Sequence, residues 1–336
     1  MRNDRDVTID RMSRRQLLGS GIAAGLMAAT GTARAQTGFP SRAITVVCPY
    51  APGATTDTIS RIFAQALGAD LKANVIVENR AGAGGNIGSA AVARAAPDGH
   101  TILLGAMGPM AINGALYASI GFDPIKDLAP LGLMAAVPLA LVVNAKSPHK
   151  TLGDLVQAIR QIPEGMNYAS AGAGTPMHLA GELFGQAAGL KLVHTGYRGS
   201  APAINDVVGG HVPFMFDALV NVLPQIQGGT LRALATTSDA ARPALLADVP
   251  TLKEAGYPVA VAGWYGFLVP AATPDPIRNR LSEALARIVA QEEIARKLAA
   301  LGSDPIDPRP AAFTALIEAE TARWQPLVRK LNIKAE

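Results

Sequence analysis

The chain has 336 residues, 49% of them hydrophobic and 17% charged, with a formal net charge of +4. That length accommodates two domains of ordinary size, and so small a charge gives no surface built for nucleic acid or an anionic membrane. Cys48 is the sole cysteine, which excludes a disulfide within the chain and any cysteine-based metal centre.

The first predicted element is an export signal over residues 1–35. Arg14-Arg15 follow Ser13, an apolar run extends from Leu17 to Ala29, and Ala33-Arg34-Ala35 offers a small-x-small cleavage site. The apolar run is too short to span a bilayer, which needs about 20 residues. The arginine pair after a serine points to the twin-arginine route, with an ordinary Sec signal as the alternative. The signal carries six of the basic and three of the acidic residues, so the remaining chain is nearly neutral. The expected location is the periplasm, where enzymes that need diffusible nucleotides are poor candidates.

After residue 35 the pattern alternates strands and helices. Strands are predicted at 44–49, 74–78, 100–105, 139–144, 166–170, 191–195, 214–216, 231–236 and 261–269. Helices are predicted at 55–67, 88–95, 152–161, 175–188, 201–208, 222–227, 276–291 and 311–331. Ile59, Ile62, Phe63, Ala66 and Leu67 recur at helical spacing, while Ile44 to Cys48 is the apolar run of a buried strand. This alternation implies an α/β fold with mostly parallel sheets flanked by helices. The segments at 139–144 and 261–269 read as crossings between two blocks. Domain 1 is then 36–140 plus 263–336, and domain 2 is 141–262.

Three glycine-rich loops stand at strand–helix junctions: Tyr50 to Asp57, Asn79 to Gly88, and Ser170 to His178. Glycine lets the backbone approach a ligand and aim successive N–H groups at it, and a helix N-terminus adds about half a positive charge. Such loops hold carboxylates or phosphates without an arginine. A dinucleotide fingerprint is incomplete in both G-x-G loops, because Ile87 and Met177 occupy the position of the third glycine. No Walker A pattern occurs.

These loops resemble those of the Bug-type solute receptors, the periplasmic binding components of tripartite tricarboxylate transporters. The resemblance spans about 39–336. It rests on Phe39-Pro40-Ser41-Arg42, Pro52-Gly53-x-x-x-Asp57, Val77-Glu78-Asn79-Arg80 with Gly82 to Gly88, Ala96-Pro97-Asp98-Gly99, Tyr168-Ala169-Ser170 with Gly174-Thr175-x-x-His178, and Asp248-Val249-Pro250-Thr251. It implies a two-domain Venus-flytrap fold of the periplasmic-binding-protein kind. It also implies a small carboxylate (a carboxylic acid, dicarboxylate or amino acid) held in the cleft over Tyr50, Gly53, Ala54, Thr55 and Asp57 on one side and Ala169, Ser170, Gly174 and Thr175 on the other. His178 is expected to brace the third loop. Asp217 fits the family's acidic position on the second domain, where it would receive an amino group, although it could equally cap the following helix. Met107 is a candidate for lining an adaptable apolar pocket, and equally for packing the core. Ala54 departs from the family's usual second glycine.

Catalytic motifs are scarce: no His-Glu-x-x-His, no Gly-x-Ser-x-Gly elbow, and no histidine paired with another at helical spacing. The expectation is a monomeric, non-enzymatic receptor with neither cofactor nor metal, partnered by a carboxylate ligand and by transporter subunits in the membrane. The alternatives are an exported enzyme acting on a carboxylated substrate, and a sensor feeding a signalling partner. Asp57→Ala and Thr175→Ala are expected to weaken binding.

Overall fold

The computed structural model describes residues 38–239, 242–303 and 306–335. The expected export signal, its arginine pair and its cleavage site lie outside the described residues. Among the described residues, all strands and helices belong to the compact unit Arg42–Glu336.

That unit opens with β1 (Ile44–Cys48), an apolar strand flanked by parallel neighbours. Such a strand reads as an unbroken hydrophobic run because both its faces are covered. Cys48 is fully buried in it as a free thiol, as its apolar surroundings imply. Helix α1 (Thr55–Leu71) buries Ile59, Phe63 and Leu67 along one face. Next come β2 (Val75–Asn79), a 3-10 turn at Ala83–Gly85, α2 (Asn86–Ala93) and β3 (Thr101–Ala106). A π-type turn at Gly108–Ile112 leads into one helical turn, α3 (Asn113–Leu116), and then into the long strand β4 (Leu128–Asn144). The second block contains α4 (Leu152–Arg160), β5 (Met166–Ser170), α5 (Pro176–Ala188), β6 (Leu192–Gly196), α6 (Ser200–Val208), β7 (Phe214–Ala218), α7 (Leu219–Gln227) and β8 (Leu231–Thr236). Strand β9 (Ala262–Pro270) and helices α8 (Asp275–Val289), α9 (Glu292–Ala300) and α10 (Pro310–Lys330) complete it.

The two blocks repeat one topology. Parallel strands run β2-β1-β3 in the first and β6-β5-β7 in the second. Strand β4 serves both. Its residues Leu128–Pro138 pair with β9, Leu139–Val143 pair with β7, and Ala140–Asn144 pair with β8. These pairings and β3–β9 are antiparallel, so the parallel core of each block grades into a mixed sheet where the chain crosses.

Strand β4 is much longer than the six residues read from sequence. Pro130, Gly132 and Pro138 hide its first half, because proline and glycine weaken a strand pattern. The structure accommodates them with register shifts between Pro130 and Gly132 and between Leu133 and Ala135. Gly132 has a reason to lack a side chain: a Cβ there would sit 2.4 Å from the Pro308 carbonyl oxygen. Helix α9, also unread in sequence, is a short amphipathic segment burying Ile294 and Leu298.

Candidate functional site

In open α/β sheets, ligands collect beyond the carboxyl ends of the strands, where strand order reverses. Here β1 lies between β2 and β3, and β5 lies between β6 and β7, so the loops after β1 and β5 mark both switch points. These are the first and third glycine-rich loops. With the loops after β3, β6 and β7 they enclose a cavity of about 730 Å³, within the usual range for a small-molecule site. Of the predicted residues, Tyr50, Gly53, Ala54, Thr55, Met107, Gly174 and Thr175 line it. Asp57, Ala169, Ser170, His178 and Asp217 do not, and all five are buried.

The first loop is shaped from behind. Asp57 Oδ2 accepts the Gly53 N–H at 3.0 Å and the Arg61 Nε–H at 3.0 Å, while Oδ1 accepts Asn79 Nδ2 at 2.9 Å. Asn79 Nδ2 also donates to the Tyr50 carbonyl at 3.0 Å. Burial opposes ionisation of Asp57, but the Arg61, Gly53 and Asn79 hydrogen bonds outweigh it and hold the carboxyl below its usual range. Asp57 therefore stays an anion that fixes the loop, with its charge matched by Arg61. The first intrahelical bond of α1 runs from Thr58 N–H to Ala54 O, and the N-cap Ala54 supplies no side-chain cap. The N–H groups of Thr55 and Thr56, both on the cavity wall, precede the helical ladder and carry the positive end of the helix dipole.

The third loop turns its polar groups inward. Thr175 caps α5, accepting the His178 N–H at 3.4 Å and donating to Gly172 O at 2.7 Å. Gly174 N–H donates to His178 Nδ1 at 2.9 Å, and Gly172 N–H to Ser170 Oγ at 3.1 Å. Pro176 has no N–H to offer. His178 thus braces the loop from behind and does not line the cavity.

Behind it lies a cluster that helical spacing could not reveal, because its members come from neighbouring strands and α5. The His178 and His194 rings stack at 3.6 Å and 5°, His194 Nε2 lies 2.6 Å from Ser170 Oγ, and Tyr168 donates to Glu182 at 2.9 Å. Burial, then His178, pushes the His194 imidazole down to about 4, so it is neutral at pH 7. The Ser170–His194 contact is the nucleophile–base pairing that the sequence lacked at any motif spacing. Ser170 is nevertheless fully buried, and neither residue lines the cavity.

Two further helix ends reach the cavity. Gly199 precedes α6 and Ala218 precedes α7; both line the wall, and neither helix has a side-chain cap hydrogen bond. The α7 end already has a carboxylate. Asp217 Oδ1 accepts the Ala218 N–H at 2.7 Å, Ser200 Oγ at 2.9 Å and Asn221 Nδ2 at 2.9 Å, while buried Oδ2 has no partner among the described residues. Burial, only partly offset by those bonds, pushes Asp217 up to about 6. It sits under the wall instead of facing the cavity, which corrects its placement as a receiver of a ligand ammonium. Across the cavity, Thr55 Oγ1 donates to Asn221 Oδ1 at 3.4 Å, joining the ends of α1 and α7.

Sequence reasoning missed Arg198, Ser200, Asn221, Tyr117 and Leu139 on the wall. Only the first three carried a usable signal, since they border the α6 and α7 ends. Among the described residues, Arg198 is the one charged residue of the lining, and no Asp or Glu lies there. Trp264 and Tyr265 also line the cavity. Among the described residues no cluster of side chains fit for a metal occurs, and no helix is long and apolar enough to cross a membrane.

Residues 59–333 match the family described as the tripartite tricarboxylate transporter family receptor. Protein BugT of Bordetella pertussis is 34% identical over 317 residues, covering 94% of each chain. The structure of R. palustris Rpa4515 with adipate is 32% identical with a TM-score of 0.81, covering 88% of this chain and 99% of that one. MatC from Rhodopseudomonas palustris with bound malate is 32% identical with a TM-score of 0.75, covering 86% of this chain and all of that one. The two-block topology, the cavity at its switch points and these likenesses agree: the chain belongs to the tripartite tricarboxylate transporter receptor family.

Proposed function

We propose that this protein is a periplasmic solute receptor that closes on a small carboxylate and presents it to a tripartite tricarboxylate-type transporter. One observation carries the reading: helix N-termini converge on a cavity whose lining holds an arginine and no acid. Such a site favours an anion through backbone N–H groups, helix dipoles and bridging water. The proposed moving bodies are 36–140 with 263–336 and 141–262, hinged where β4 and β9 pass between them. Tyr50, Gly53, Ala54, Thr55, Gly174 and Thr175 are the proposed contacts, with Met107 completing an apolar wall. Asp57, Ala169, Ser170, His178 and Asp217 shape the site from behind. The receptor works as a monomer and needs no cofactor or metal. Export by the signal at 1–35, through the twin-arginine route, delivers it.

The competing reading, an exported hydrolase, gains the Ser170–His194 contact but places it outside the cavity. Thermal unfolding of the purified protein in the presence of a carboxylic acid library separates the two. A receptor gains stability from particular acids and returns them unchanged. Catalytic conversion of a bound acid, abolished by Ser170→Ala, would establish the hydrolase instead.

A further inference from the structure

Resting on that receptor reading, we infer that Arg198 makes the cavity selective for acids with a second carboxylate and no ammonium group. Arg198 is the only charged side chain on the wall, and it has no hydrogen-bond or ion-pair partner among the described residues. Its backbone is nonetheless fixed on both sides. Tyr197 N–H donates to Ser170 O at 3.1 Å and Tyr197 Oη to Asp206 at 2.6 Å, while Gly199 N–H donates to Ala171 O at 3.1 Å. Gly199, at φ +110, then turns the chain into α6. Arg198 is thus an exposed cation on the cavity wall, carried on a hydrogen-bonded backbone and unspent among the described residues. Its planar fork suits a carboxylate held through two hydrogen bonds.

The two ends of the site differ in kind. The α1 end offers backbone N–H groups, which suffice for one carboxylate. The wall that carries both the α1 end and Arg198 also holds the apolar surfaces of Tyr50, Tyr117, Tyr265, Met107 and Leu139. A monoacid seated at α1 leaves Arg198 to water. A diacid uses both ends. An amino group finds no carboxylate on the wall, because Asp217 is wholly buried outside the lining: its Oδ1 is shared by three donors and its partnerless Oδ2 is buried as well.

The test is calorimetric titration of the full chain with α,ω-diacids from succinate to suberate. Each is compared with the monoacid of the same chain length, and succinate is also compared with aspartate. In the wild-type protein the best diacid binds more tightly than its monoacid, and succinate more tightly than aspartate. In Arg198→Gln, diacid affinity falls about 10- to 100-fold, while monoacids lose no more than about threefold; Arg198→Lys retains part of the preference. Equal binding of diacids and monoacids by wild type, tighter binding of aspartate than succinate, or a diacid preference that persists in Arg198→Gln overturns this inference and leaves the receptor reading standing. Binding of no acid of either kind overturns both.

Discussion

The loops after β1 and β5 occupy equivalent places in the two blocks, yet they use their polar groups in opposite ways. The first is braced by one carboxylate from behind: Asp57 engages Gly53, Arg61 and Asn79, while Thr55 and Thr56 line the cavity at a helix start with no side-chain cap. The third is braced from within, through Thr175, His178 and Ser170, which occupy the N–H groups of His178, Gly174 and Gly172. The second block goes further, placing Asp217 against the N-terminus of α7. Equivalent topology therefore yields one proposed anion seat and one loop whose amides are already occupied. The difference is set by which side chain satisfies the loop amides, not by how many glycines each loop contains.

The largest expected effect comes from removing the brace of the proposed seat. Asp57→Ala leaves the Gly53 N–H, Arg61 and Asn79 without their shared acceptor. Hydrogen bonds to a charged group contribute about 1.5–3 kcal/mol each, so the variant should lose about 100-fold in carboxylate affinity and show a clearly lower Tm. Titration and thermal unfolding read both. Retained affinity would mean that the two loops do not differ in the way described.

Asp217 tests the second block's own carboxylate. Its ordinary value of 3.8 is pushed up to about 6. The folded state therefore holds a proton that the unfolded chain releases earlier, and stability falls as pH rises through this window. The cumulative loss approaches about 3 kcal/mol above pH 6. Asp217→Asn removes that dependence. Its Tm relative to wild type should rise steadily between pH 4 and pH 7, and a flat difference would show that the carboxyl is not held in its protonated form.

Much of this arrangement is legible in sequence, but unevenly. The strand–helix alternation and the glycine loops locate the cavity, because both signals are local. Thr55 and Thr175 are recognisable as residues at helix starts by composition alone. What escapes is whatever depends on contacts distant in the chain. Ser170 meets His194 only because β5 and β6 are parallel neighbours, in a register that pairs Tyr168 with His194. Arg198 is an ordinary cation in sequence and becomes a wall residue only through the turn at Gly199. Asp57 stands in a loop that the sequence marks, but its role was not legible: from the first turn of α1 its carboxylate turns back to the Gly53 N–H and lies outside the cavity lining. Strand β4 was half hidden by its own prolines.

Gly174→Ala addresses the close approach of the walls. Gly174 adopts φ +70, and a Cβ there would lie 2.2 Å from Leu116 Cδ1 in α3, on the first block. The left-handed backbone alone costs a side chain about 1–2 kcal/mol. Displacing Leu116 should also hold the blocks apart. The expected outcome is about a tenfold loss of affinity with a modest drop in Tm. If affinity is unchanged, Leu116 yields freely and the third loop is less rigid than its hydrogen bonds imply.

Thr175→Ala has the smallest expected effect and sharpens the comparison most. Thr175 lines the cavity, so loss of its side chain could weaken binding directly, as its sequence position led us to expect. Its hydroxyl is otherwise committed: it donates to Gly172 O at 2.7 Å and caps the His178 N–H. Removing an N-cap costs about 1 kcal/mol of stability, while His178 still holds the Gly174 N–H. The variant should therefore show a small drop in Tm and about a twofold change in Kd. The ratio of the two effects is the informative quantity, because in Asp57→Ala affinity is the greater casualty and in Thr175→Ala stability is. A variant that keeps its Tm but loses tenfold in affinity would make the Thr175 hydroxyl a direct ligand contact, and the third loop would then be a second anion seat instead of a wall.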